Sequence, residues 1–95
     1  MKLLIAIVRD DYAGAVTAAL NEQNLRVTRV SSTGGFWRRG NATLLIGVDE
    51  GELEQALEII NRHAGPEITP EQTAKGHPPH RATVFQLAVG EFARY

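Results

Sequence analysis

Leu3-Leu4-Ile5-Ala6-Ile7-Val8, followed directly by Arg9, Asp10 and Asp11, is the stretch on which the fold turns. An unbroken apolar run of this length reads as a β-strand buried on both faces. The aspartates read as the cap of a helix, because their carboxylates can accept hydrogen bonds from its first free N–H groups. Ala13, Val16, Ala19 and Leu20 then recur at helical spacing, to about Gln23. Further out, Leu25 to Thr33 is rich in β-branched residues and predicts a second strand, and Asn41 to Val48 predicts a third. Asp49-Glu50-Gly51-Glu52 carries the acceptor, and the glutamate three residues on, of a capping box. Leu53, Ala56, Leu57 and Ile60 form the apolar stripe of a second helix, with its stop at His63-Ala64-Gly65-Pro66. The proline-containing, aperiodic stretch from Ile68 to His80 predicts a loop. Ala82 to Val89 predicts the last strand, with Phe92 and Tyr95 as tail anchors.

The order βαββαβ predicts an α+β chain with one domain over residues 1–95, a ferredoxin-like sandwich of a four-stranded antiparallel sheet with two helices on one face. Two helices cover one sheet face only, yet the first, third and fourth strands are apolar on both. Leu4, Ala6 and Val8 oppose Leu3, Ile5 and Ile7, and Leu44 and Ile46 oppose Leu45. A bare face of that kind exceeds what soluble monomers usually carry, so a homo-oligomer is expected.

Composition narrows the partners. The 95 residues carry a formal net charge of −1, which gives no general attraction to a nucleic-acid polymer or an anionic membrane. There is no cysteine, so disulfides and thiolate metal sites are excluded. The apolar N-terminus lacks the pattern of a signal peptide, and no segment has the ~20 apolar residues of a membrane span. A cytoplasmic protein without membrane insertion is the expectation.

Ser32-Thr33-Gly34-Gly35-Phe36-Trp37-Arg38-Arg39-Gly40-Asn41 carries the most chemistry. Adjacent glycines leave amides open to a phosphate, guanidinium groups add positive charge, and the aromatics offer a face to a base. The same stretch also reads as a hairpin connection with solvated basic side chains.

Leu3 to Val8 with Asp10, Thr33-Gly34-Gly35-Phe36 with Arg38, Gly40 and Asn41 leading into Leu45-Ile46-Gly47-Val48, and Ala82-Thr83-Val84-Phe85 together resemble the PII-like cyclic di-AMP receptor proteins. The resemblance implies a ferredoxin-like homotrimer that binds a small nucleotide, cyclic di-AMP, in clefts between subunits. It implies a signal passed to a protein partner through ordering of the 34–40 or 65–80 loop, with no catalysis and no cofactor. Carried over by position, the pocket uses Asn24, Arg26 and Thr28 on the second strand, Gly35, Phe36 and Trp37 on the glycine loop, Asn41 and Gly47 on the third strand, and Phe85 on the last. Trp37 stands where the family commonly has an aliphatic residue, and the 65–80 connection is shorter than in relatives.

The residue chemistry agrees with that pocket. Asparagine amides can satisfy both donor and acceptor edges of adenine, and Arg26 and Thr28 share one strand face. From its apolar run alone Phe85 reads as core or interface before ligand contact, and Thr28 as a plain β-former. Arg38 and Asn41 are also the residue types of a small phosphoryl-compound hydrolase, but no paired carboxylate or activated nucleophile accompanies them. A structural trimer with a vestigial site is the other alternative. His63, His77 and His80 lack companion ligands at metal spacing, so no metal is assigned.

Overall fold

The computed structural model describes residues 1–30, 40–66 and 82–90. Strand β1 (Lys2–Arg9) leads into helix α1 (Asp10–Glu22), followed by β2 (Val27–Val30), β3 (Asn41–Val48), a single 3₁₀ turn (Glu50–Glu52), α2 (Leu53–His63) and β4 (Ala82–Ala88). The strands form one antiparallel sheet in the order β2-β3-β1-β4, the ferredoxin-like arrangement. The most apolar strand, β1, lies inside the sheet between β3 and β4.

The core lies on the helix side. Leu4, Ala6 and Val8 of β1 and Leu44, Ile46 and Val48 of β3 are buried there against Ala13, Val16 and Leu20 of α1 and Ala56, Ile59 and Ile60 of α2. Each fully buried Leu or Ile contributes roughly 1.5–3 kcal/mol. Among the described residues no helix is long and apolar enough to cross a membrane.

The ends of α1 differ from the sequence expectation. Its N-cap is Arg9, and no side chain caps it. Asp10 is already helical; its Oδ1 instead accepts from Arg29 Nη2 of β2 at 3.1 Å, while its backbone N–H donates to the Gly40 carbonyl at 2.7 Å. At the other end the chain closes in a Schellman motif. The Asn24 N–H donates to the Asn21 carbonyl and the Leu25 N–H to the Leu20 carbonyl, both at 3.0 Å, with Asn24 left-handed at φ 61°. Leu25 packs in the same buried core as Leu20. β2 therefore begins at Val27, not Leu25, because residues 24 and 25 are used to stop the helix.

The second helix follows its signals closely. The Asp49–Glu52 capping box forms, with the Asp49 N–H donating to Glu52 Oε1 at 3.0 Å. Arg62 and His63 occupy the last turn, where cations favour the helix dipole. Gly65 then takes φ 101°, and a β-carbon there would stand 2.6 Å from Tyr12 Cε2. Only glycine fits between that backbone and that ring. β4 ends at Ala88, one residue short of expectation, and the Val89 N–H donates to the Met1 carbonyl. The expected 68–80 loop and the anchors Phe92 and Tyr95 lie outside the described residues.

Candidate functional site

Alternate residues of all four strands face away from the helices, and the pairing register arranges them in rows. Thr28, Leu45, Ile5 and Phe85 form one row across the sheet. Val30, Thr43, Ile7 and Thr83 form the next. Gly47, Leu3 and Leu87 form a third, and Asn41 pairs with Arg9. The largest exposed apolar side chains of this face are Phe85 and Leu87 on β4, with Val30 exposed on β2. Leu3, Ile5, Ile7 and Leu45 are half-buried, whereas Phe85 is 48% and Leu87 49% exposed. Sidedness inferred from apolar residues on both parities of β1 and β3 is thus present in the fold, as an uncovered apolar face.

One end of this sheet gathers more than the other. It holds the C-terminal ends of β1 and β2, the N-terminal ends of β3 and β4, the start of α1 and the end of α2. The connections 31–39 and 67–81 both leave from and return to it. Here Gly40 at φ 89° accepts from the Asp10 N–H, and the Arg9 guanidinium carbon lies 5.3 Å from the centroid of the Tyr12 ring. The Arg29–Asp10 pair closes the helix side of the same corner, with both side chains about half exposed.

The sequence candidates fall into three groups. Thr28, Asn41, Gly47 and Phe85 share the helix-free face: Thr28 and Phe85 exposed, Asn41 half-buried, Gly47 beside Met1. Asn24 and Arg26 are not on the second strand as the sequence predicts. Arg26 is exposed one residue before β2, and Asn24 is the left-handed residue that ends α1. Gly35, Phe36 and Trp37 lie outside the described residues. Arg9 and Leu87 also face this side but are absent from the sequence candidates; parity alone points to both, since Arg9 continues Ile5 and Ile7 and Leu87 follows Phe85. On the opposite side, α1 and α2 flank a separate open groove of about 280 Å³, bridged where Gln55 Nε2 donates to Gln23 Oε1 at 2.9 Å.

Comparison with known proteins draws these features together. Among similar solved structures is the crystal structure of a functionally unknown protein from Pediococcus pentosaceus, 36% identical, with a TM-score of 0.72. That likeness covers 99% of this chain and 96% of the other. Residues 1–73 match the family described as cyclic-di-AMP receptor. The family match takes in Asn24 through Gly47 and stops before Phe85, while the structural match runs nearly end to end. With most of its length matched and its ferredoxin-like fold in place, the chain belongs to the PII-like cyclic-di-AMP receptor family.

Proposed function

We propose that this chain binds cyclic di-AMP in clefts between the subunits of a homotrimer and relays its occupancy to a protein partner. The observation that carries the reading is the row Thr28–Leu45–Ile5–Phe85 on the uncovered face of a chain from this receptor family. Thr28 and Phe85 sit on opposite edge strands, three strand spacings apart, or about 14 Å at ~4.8 Å per spacing. A single base cannot touch both edges of one sheet. It can touch both where the β2 edge of one subunit meets the β4 edge of the next, and the same packing covers Phe85 and Leu87.

Within that cleft Asn41 supplies an amide for the base edge and Thr28 a hydroxyl for a polar group of the ligand. Arg26 lies just ahead on the same chain segment, and Phe85 offers a stacking face. Gly35, Phe36 and Trp37 complete the pocket from the glycine loop. Gly47 keeps the floor free of a side chain beside Leu3. The connections 31–39 and 67–81 start and finish at the Asn41 end, so a ligand that binds one of their arrangements better biases what the partner meets. The chain is a receptor, and no step of this reading is catalytic.

Isothermal titration of the full chain with cyclic di-AMP tests it. Wild type binds, and Asn41→Ala weakens binding by about 1–3 kcal/mol, the range for a buried polar group left unmatched, with an unchanged circular dichroism spectrum. Absence of binding by the wild type refutes the proposal and leaves the structural trimer with a vestigial site.

A further inference from the structure

We infer that Arg9 is an anion-binding residue of this site and that Tyr12 is its seat when no ligand is bound. This rests on the nucleotide-binding reading and adds to it a residue and a route. Arg9 ends β1 directly opposite Asn41, which begins β3, so the two side chains leave adjacent positions at one corner of the open face. Asp10, the nearest carboxylate in sequence, is engaged by Arg29 at 3.1 Å. Among the described residues Arg9 forms no ion pair. Its guanidinium carbon instead lies 5.3 Å from the Tyr12 ring centroid, a contact that attracts the cation without neutralising it. A guanidinium in that state pairs more strongly with a phosphodiester oxygen than with a ring face, because charge-assisted, forked hydrogen bonds are the stronger class.

The ring connects that exchange to the rest of the corner. Tyr12 packs against Gly65 so closely that no β-carbon fits between them, and Gly65 is where the chain leaves α2. Moving Arg9 from Tyr12 to a phosphate removes one group that lies against the ring. The position of the ring against Gly65 then depends on whether the anion is present. Asn41 would read the base, and Arg9 would report the phosphate to the α2 exit.

Full-length wild type, Arg9→Gln, Arg9→Lys and Asn41→Ala are titrated with cyclic di-AMP at low and high salt, with the NMR signals of Arg9 Hε and the Tyr12 ring followed. The expected result is a ten- to fiftyfold loss of affinity in Arg9→Gln with a flatter salt dependence, and in Arg9→Lys a restored salt dependence with only part of the affinity, because the charge is kept and the fork is not. The Arg9 Hε signal, shielded over the ring in the free protein, moves downfield on binding. Wild-type binding that Asn41→Ala weakens, but Arg9→Gln leaves within twofold, overturns the Arg9 assignment and spares the parent reading. No binding by wild type overturns both. A loss in Arg9→Gln with an unmoved wild-type Arg9 Hε signal overturns the Tyr12 seat.

Discussion

Replacing Gly65 with alanine perturbs two terms that the structure separates. The first is backbone strain, since φ 101° is a conformation L-residues seldom adopt, at about 1–3 kcal/mol. The second is collision. The new β-carbon would lie 2.6 to 2.8 Å from three carbons of the Tyr12 ring, and ring or helix end must shift at a cost typical of overpacking, about 1–3 kcal/mol. Gly40 provides the control, because it has φ 89° but, among the described residues, nothing within 4 Å of its β-carbon position. Gly40→Ala is therefore expected to lose only the strain term, and Gly65→Ala about 2–6 kcal/mol in total. At roughly 4–8 °C per kcal/mol for a domain of this size, the milder end already lowers Tm by about 10 °C. Thermal denaturation at fixed protein concentration measures it. The double variant with Tyr12→Ala should recover the collision term and not the strain, a coupling above 0.5 kcal/mol between neighbours. Equal losses in Gly40→Ala and Gly65→Ala, with no recovery in the double variant, would refute the assigned packing of Tyr12 on Gly65.

Asn24 has a capping role that can be removed from its ligand role. Asn24→Gly keeps the left-handed turn, so stability should stay level or rise by up to about 1 kcal/mol, while cyclic di-AMP affinity falls if the amide touches the ligand; unchanged affinity in titration makes Asn24 a helix stop only. Phe85→Glu puts a charge on the exposed apolar row and should shift a trimer toward the 10.4 kDa chain in light scattering, whereas Thr83→Glu, at the margin of the apolar patch, should do so less. A wild type already monomeric at micromolar concentration would sink the assembly argument.

How much of this was readable depended on whether a signal was local. The β3 bounds, Asn41 to Val48, and the Asp49–Glu52 capping box follow from a few neighbouring residues and match the fold. The stop at Gly65 was equally plain, although its reason was not, because Tyr12 is brought there only by the packing of α1 on α2. Asn24 misled for a related cause. It precedes a β-branched run, and nothing local says that α1 would use it, with Leu25, for a Schellman closure. Asp10 looked like a cap, but Arg29 lies nineteen residues away and competes for its carboxylate. For the site, the family resemblance supplied Thr28, Asn41, Gly47 and Phe85 together, four positions that the sheet register sets on one face. Strand parity could not say that Thr28 and Phe85 occupy opposite edges, since strand order is a property of the whole sheet.

On the proposed reading, that strand order joins ligand binding to assembly. On the open face the β2 edge carries Thr28 and the exposed Val30, whereas the β4 edge carries Thr83 and the larger exposed Phe85 and Leu87, so each subunit presents two edges of different shape on the same side. Neither edge is complete alone. Thr28 and Asn41 have no stacking aromatic within their own half of the described sheet, and Phe85 and Leu87 remain about half exposed. Cyclic repetition supplies each edge with the other, and a heterologous contact that closes into a ring needs no further surface. On the proposed reading, a nucleotide held between such edges would bind only the assembled form, and would stabilise the trimer by the same free energy with which assembly favours the nucleotide. Arg9 and Asn41, side by side where β1 and β3 meet the two long connections, stand where that shared free energy can be passed on.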